Sequence, residues 1–360
     1  MPHTIFWFYN IGYRSSYKNK DNFISGKTEI ILGRDAKFDI DANEILLESL
    51  PTFKYLKAAD RNRDLQSKGI GSKTALVVRV VISDGSTTSN ESEFGDSVFG
   101  TAGDSVTFSS QFDACSHGQF KISPTADNTG VSTSISNGVV TITLPDILTS
   151  QGHATMRNAI SKELNLQFGV SSPRELADYA IYCLPPGSVK NSYALVNSYL
   201  SVFNDNHCLY QSGLMHEIGH NMNLGHSGER NPTSMYEDMS GLMGFTYSES
   251  DTRMCFSSAK SWQLGWYAKR SIDISAGGLR SYQGEVAGII EDPSVESDPP
   301  ILIKLNTSTS TDYYLNFNLA SSFNRGTREG ANRVLITEQG GDGENYEQSW
   351  LVQKLSRGMK

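Results

Sequence analysis

His216-Glu217-Ile218-Gly219-His220-Asn221-Met222-Asn223-Leu224-Gly225-His226 is the stretch on which the reading of this chain turns. It gathers three of the chain's seven histidines. Residues four apart share a helix face, so His216 and His220 can aim two ring nitrogens at one point. Glu217 lies about 100° further round the helix, beside that point without being one of its ligands. Gly225 is expected to let the chain fold back, so that His226 closes a three-imidazole site with one position open. An open position distinguishes a catalytic zinc from a closed, four-ligand structural one. No Cys lies in the stretch to act as a fourth ligand. A carboxylate third ligand, Glu229 or Glu237, is the alternative to His226, which fits the turn-back spacing better.

The stretch resembles the metzincin pattern H-E-x-x-H-x-x-G-x-x-H, with Asn223 where that pattern has Gly. The Gly adopts a left-handed backbone and ends the helix, and Asn is the next best residue for that task. The surroundings narrow the resemblance. Met215 to Asn221 continues into His226-Ser227-Gly228-Glu229, then Tyr236-Glu237-Asp238-Met239-Ser240-Gly241-Leu242-Met243-Gly244-Phe245 and Met254-Cys255-Phe256-Ser257-Ser258-Ala259-Lys260-Ser261-Trp262-Gln263-Leu264-Gly265-Trp266. Upstream stand Tyr182-Cys183-Leu184-Pro185-Pro186-Gly187 and Ala194-Leu195-Val196-Asn197-Ser198. Together these resemble the gametolysin family of algal cell-wall-degrading metalloproteases. The similarity covers most of Thr74 to Tyr267, weakens in the C-terminal region and does not extend to the first 70 residues or so.

The resemblance implies an α+β, metzincin-like zinc endopeptidase. Zn2+ would be held by His216, His220 and His226, with Glu217 as general base. Met243 is the candidate for the methionine turn beneath the ligands, with Met239 as its rival; ordinary core filling is the simpler role for either. Tyr247 is a candidate oxyanion donor, although it stands four residues after Met243 rather than the two seen in some metzincins, and a surface Tyr is the simpler reading. Implied substrates are extracellular matrix or cell-wall proteins, proline-rich glycoproteins among them. A zinc-stabilised adhesion or recognition module without catalysis is the alternative, against which Glu217 argues, since a pure binder needs no base beside its metal.

The net charge of −8, without a clustered basic run, argues against a nucleic-acid partner. The most apolar run, Ala75 to Ile82, is short, broken by Arg79, and reads as a strand rather than a membrane span. The aromatic patch from Ile5 to Tyr9 has no basic n-region, long apolar run or cleavage site, so no secretion signal is recognisable. Four cysteines, Cys115, Cys183, Cys208 and Cys255, suit two disulfides in one of three pairings. Asn90-Glu91-Ser92 and Asn306-Thr307-Ser308 are glycosylation sequons. The expectation is an extracellular or cell-wall enzyme acting on protein or glycoprotein; a cytosolic protein with four free thiols is the alternative.

Residues 1–70 carry no clear pattern. Two runs that mimic calcium loops, beginning at Asp39 and Asp60, lack Gly at the sixth position, where Glu44 and Leu65 stand, and are rejected. With no Cys before Cys115, this segment offers no thiolate to silence zinc. The catalytic domain is expected over 71–270. Within it, strands are predicted at Leu76 to Ile82, Phe120 to Ile122, Val139 to Leu144, Tyr179 to Leu184 and Tyr193 to Phe203. Met156, Ile160, Leu164 and Phe168 mark a helical core stripe ended by Gly169. The motif helix is expected to start with Ser212 as N-cap, and Ser258 to Trp266 reads as another helix. Over 271–360, short alternating runs at Ile301 to Leu305, Tyr313 to Phe317, Val334 to Ile336 and Trp350 to Val352 predict a small β-sandwich-like, all-β domain.

Overall fold

The computed structural model describes residues 28–31, 37–39, 44–46, 52–55, 69–230, 233–244, 252–275, 281–291, 299–307, 309–340 and 345–356. Tyr247, the aromatic patch at 5–9, the calcium-loop mimic at 60–64 and Ser308 of the second sequon lie outside these residues. Two compact units are present, Met1–Arg63 and Asp64–Lys360. In the first, β1 (Thr28–Ile31) pairs antiparallel with β4 (Thr52–Tyr55), and β2 (Lys37–Asp39) with β3 (Glu44–Leu46).

The second unit is mixed α and β. Its long strand β5 (Gly71–Ile82) buries Ala75 and Val77 on one face and Leu76, Val78, Val80 and Ile82 on the other. A strand covered on both faces is apolar in succession, as in parallel sheets flanked by helices. The remaining strands of this sheet are β6 (Gly85–Ser86), β7 (Phe120–Pro124), β10 (Val139–Leu144), β11 (Tyr179–Leu184), β12 (Tyr193–Ala194) and β13 (Leu200–Asn204). A small hairpin, β8 (Asn128–Thr129) with β9 (Ser134–Ile135), stands apart. The sheet order is β10-β5-β11-β13-β12, parallel until β12 turns antiparallel. The expected single strand from Tyr193 to Phe203 is therefore a hairpin. Asn197, at φ 54°, reverses the chain, and its N–H donates to His220 O at 2.9 Å.

Helices cover both faces. α1 (Glu91–Phe99) and α2 (Phe108–Cys115) share one core with the motif helix through Phe94, Phe112 and Leu214. On the other face α3 (His153–Phe168) buries Met156, Ile160 and Leu164 and ends at left-handed Gly169, φ 66°. The motif helix, α4 (Gln211–Asn221), begins one residue before the expected N-cap: Tyr210 holds that position without a side-chain cap, and Ser212 is buried inside the helix. A 3-10 turn (Asp205–Leu209) leads into α4 instead, tied to β11 by the Cys183–Cys208 disulfide. The other disulfide, Cys115–Cys255, joins the end of α2 to the approach to α5 (Ser258–Gln263). α5 is shorter than expected, because Gly265 turns left-handed at φ 76°.

The later strands form a second sheet: β14 (Ser227–Arg230), β15 (Thr233–Ser234), β16 (Ser271–Ile274), β17 (Leu302–Leu305), β18 (Thr311–Phe317), β19 (Val334–Gly340) and β20 (Ser349–Leu355). Its order is β15-β14-β20-β19-β18-β17-β16. The described residues of 271–360, expected as a separate sandwich-like segment, thus supply five strands to a single sheet. The other two strands follow His226 directly. The physical tie is the parallel register Ser227↔Ser349 to Glu229↔Leu351, together with a core running from Ile218 through Phe256 and Trp266 to Leu302 and Tyr314. Among the described residues, no helix is long and apolar enough to cross a membrane.

Candidate metal centre

α4 presents His216 and His220 one turn apart, with Glu217 between them, all three buried. The chain then reverses at Asn223, φ 73°, the left-handed residue the sequence anticipates there. Leu224 N–H closes the helix end on Gly219 O at 2.9 Å. Gly225 has a different role from the one expected, since it is not in the left-handed region. A Cβ at Gly225 would sit 2.3 Å from the carbonyl oxygen of Glu347. Gly is required there by a close approach of backbone, not by the turn.

The reversal brings His226 to the other two imidazoles. Nitrogens of His216, His220 and His226 lie within 4.8 Å of one another. Ring centroids are separated by 4.8 Å (His216–His220), 5.4 Å (His216–His226) and 4.7 Å (His220–His226). His216 Nδ1 contacts Leu242 O at 2.7 Å and His220 Nδ1 contacts Leu224 O at 2.8 Å. A carbonyl only accepts, so each Nδ1 carries the proton and each Nε2 keeps its lone pair for an ion. Burial lowers the pKa of all three rings, bringing His226 to about 4 and His216 well below its ordinary value. Three neutral imidazoles, two of them with fixed tautomers, and no fourth His, Cys, Asp or Glu donor among the described residues make a donor set suited to zinc with an open position. Among the described residues, no other group of three or more His, Cys, Asp or Glu side chains converges in this way. The alternative ligand Glu229 is instead paired with Lys354 Nζ at 2.9 Å.

Glu217 has little contact with water, and burial pushes its carboxyl up to about 8. Met243 is buried beneath the helix, its sulfur 2.6 Å from where a Cβ on Gly219 would be. Its rival, Met239, is exposed and lies beside Glu329. The turn bearing Met243 is tied to the ligand strand, because Ser227 N–H donates to Met243 O at 2.7 Å. Buried Asp238 accepts from the hydroxyls of Ser227 and Ser240. On the other side, Ser349 N–H donates to His226 O at 3.0 Å.

Three contributors lie outside the sequence expectation. Tyr236 and Tyr346 place their rings next to His226 and His220. Lys260 is fully buried, its Nζ donating to Glu347 O at 2.7 Å and Gln339 Oε1 at 2.9 Å, and burial brings its pKa down to about 7. Tyr236 falls inside a motif segment, but its spacing from the ligands carries no helical or strand signal. Tyr346 and Lys260 arrive through tertiary contacts that no local pattern announces.

The sequence model of a family described as gametolysin peptidase M11 matches residues 81–294, well over half of the chain and including the whole ligand motif. Comparison with curated proteins gave no match.

Proposed function

Starting from a chain that belongs to the gametolysin M11 peptidase family, we propose a zinc-dependent endopeptidase that hydrolyses extracellular matrix or cell-wall proteins and glycoproteins. Family membership supports a peptidase. The observation that carries the zinc-dependent reading is the convergence of three neutral imidazoles, two with Nδ1 held by backbone carbonyls. Zinc, when bound, supplies a Lewis acid that polarises a peptide carbonyl and acidifies water. Glu217 is the general base: its carboxylate takes a proton from the attacking water and returns it to the amine nitrogen as the C–N bond breaks. Burial raises its proton affinity into the range useful near neutral pH. The Met243 turn and the Ser349 contact hold His226 from opposite sides, limiting reorganisation around the reacting groups. Tyr247 is proposed as a phenol donor to the tetrahedral oxyanion.

The two disulfides, Cys115–Cys255 and Cys183–Cys208, support an oxidising compartment and hence the extracellular assignment. Against the inactive recognition module stands the cost of burying Glu217, which a metal used only for folding does not require. The test is incubation of the zinc-loaded chain with a diverse peptide library, with and without a chelator, read by mass spectrometry. Chelator-sensitive internal cleavage supports the endopeptidase; bound zinc without cleavage favours the recognition module.

A further inference from the structure

Two tyrosines outside the ligand motif flank the imidazoles. The Tyr236 ring centroid lies 4.3 Å from that of His226, tilted by 47°, and the Tyr346 centroid lies 6.0 Å from His220, tilted by 46°. Both remain exposed, at 45% and 41%, and Met235, beside Tyr236, is exposed at 53%. The two segments are neighbours, because Gln348 Nε2 donates to Met235 O at 3.1 Å. Their backbones are also anchored to the ligands. Glu347, next to Tyr346, gives its carbonyl to buried Lys260 and packs against Gly225, while Ser349 bonds to His226 O. Large, anchored and solvent-facing rings beside a reactive centre are the usual lining of a side-chain subsite.

We propose that Tyr236 and Tyr346 are the aromatic walls of a substrate subsite next to the metal, which selects a bulky apolar side chain flanking the scissile bond. The inference rests on the peptidase reading. Ring faces gain contact area with aliphatic or aromatic side chains. An acidic side chain loses hydration between them. A basic one meets like charge from a bound metal. The second sheet thereby contributes to specificity as well as to the core.

The experiment uses the full zinc-loaded chain as wild type and as Tyr236→Ala, Tyr346→Ala, Tyr236→Phe and Tyr346→Phe. Each is measured for zinc per chain and for cleavage of a peptide library by mass spectrometry, followed by kcat and KM on selected peptides. Wild type is expected to enrich Leu, Met, Phe, Tyr or Trp beside the cleaved bond. Each Ala variant should keep its zinc but lose about tenfold or more in kcat/KM on those peptides, chiefly through KM, with the enrichment flattened. The Phe variants should retain the preference. Wild-type cleavage without apolar enrichment overturns the inference alone. So does an unchanged preference in both Ala variants, or a Phe variant that loses as much as its Ala counterpart. A zinc-loaded wild type that cleaves no peptide overturns the peptidase reading, and the inference with it.

Discussion

Gly225→Ala tests how the C-terminal strands are bound to the metal-site turn. The new Cβ would lie 2.3 Å from the carbonyl oxygen of Glu347, 2.7 Å from its carbon and 3.2 Å from its nitrogen. All three are backbone atoms, so no flexible side chain can swing aside. Ordinary contact distance requires the Glu347 peptide to retreat by roughly an ångström. Overpacking of this kind costs about 1–3 kcal/mol. The same movement weakens the 2.7 Å bond from the fully buried Lys260 ammonium, and hydrogen bonds to charged groups contribute about 1.5–3 kcal/mol. With that bond lost the total is about 2.5–6 kcal/mol, a fall of roughly 5–20 °C in Tm for a unit of this size. The assay is thermal unfolding of the chelator-treated chain, so that metal binding does not mask the change. Gly213→Ala is the control. Its Cβ would meet nothing closer than Tyr210 Cβ at 3.8 Å, so helix propensity should make it neutral or stabilising by up to about 1 kcal/mol. If Gly225→Ala melts with wild type, Glu347 does not press on the turn and the proposed cleft wall loses its anchor.

His226→Ala should weaken zinc binding by more than about a hundredfold in a competition titration with a chromogenic chelator. Glu229→Ala and Glu237→Ala should leave it unchanged, and the opposite pattern would restore the carboxylate alternative. Removing the Cys115–Cys255 disulfide, which spans 140 residues, should cost about 4–5 kcal/mol in denaturant unfolding, and removing Cys183–Cys208, which spans 25, about 3 kcal/mol. Equal or reversed costs would contradict the loop-entropy account. The metal-free chain should lose stability on acidification. Below about pH 6.5 the unfolded imidazoles take up protons that the buried ones refuse, His226 until about pH 4. The raised carboxyls of Glu217, Asp238 and Glu229 act in the opposite sense, but hydroxyl hydrogen bonds favour the charged form of Asp238 and Lys354 that of Glu229, so the three imidazoles outweigh them below about pH 6.5. Urea titrations at pH 7, 6 and 5 should show a declining midpoint; a flat profile would refute the assigned burial.

Local chemistry in the sequence carried much of the architecture. The four-residue stripe ending at Gly169 marks α3, alternation with Thr marks β10 and a continuous apolar run marks β11, because each pattern is complete within one element. Asn223 is legible for the same reason, since a left-handed helix end is a single-residue property. The role of Gly225 is not legible locally, because its constraint comes from Glu347, more than a hundred residues away. Tyr193 to Phe203 has the composition of one strand, yet Asn197 bends it into a hairpin by bonding to the end of α4. Ser212 lies inside the helix rather than at its cap, because the 3-10 turn and the Cys183–Cys208 bridge fix the helix entry. Disulfide pairing, the sheet shared by β14 and β20, and the Tyr346 and Lys260 contacts are long-range choices that periodicity does not encode.

The most direct measurement compares wild type with Glu217→Gln, determining zinc per chain and peptide cleavage on the same preparations. About one zinc in each, with chelator-sensitive cleavage in wild type reduced at least about a hundredfold in the variant, is the predicted result. Undiminished cleavage by Glu217→Gln, or a wild-type chain that acquires no zinc, would contradict the assignment of a three-imidazole metal centre with a carboxylate base.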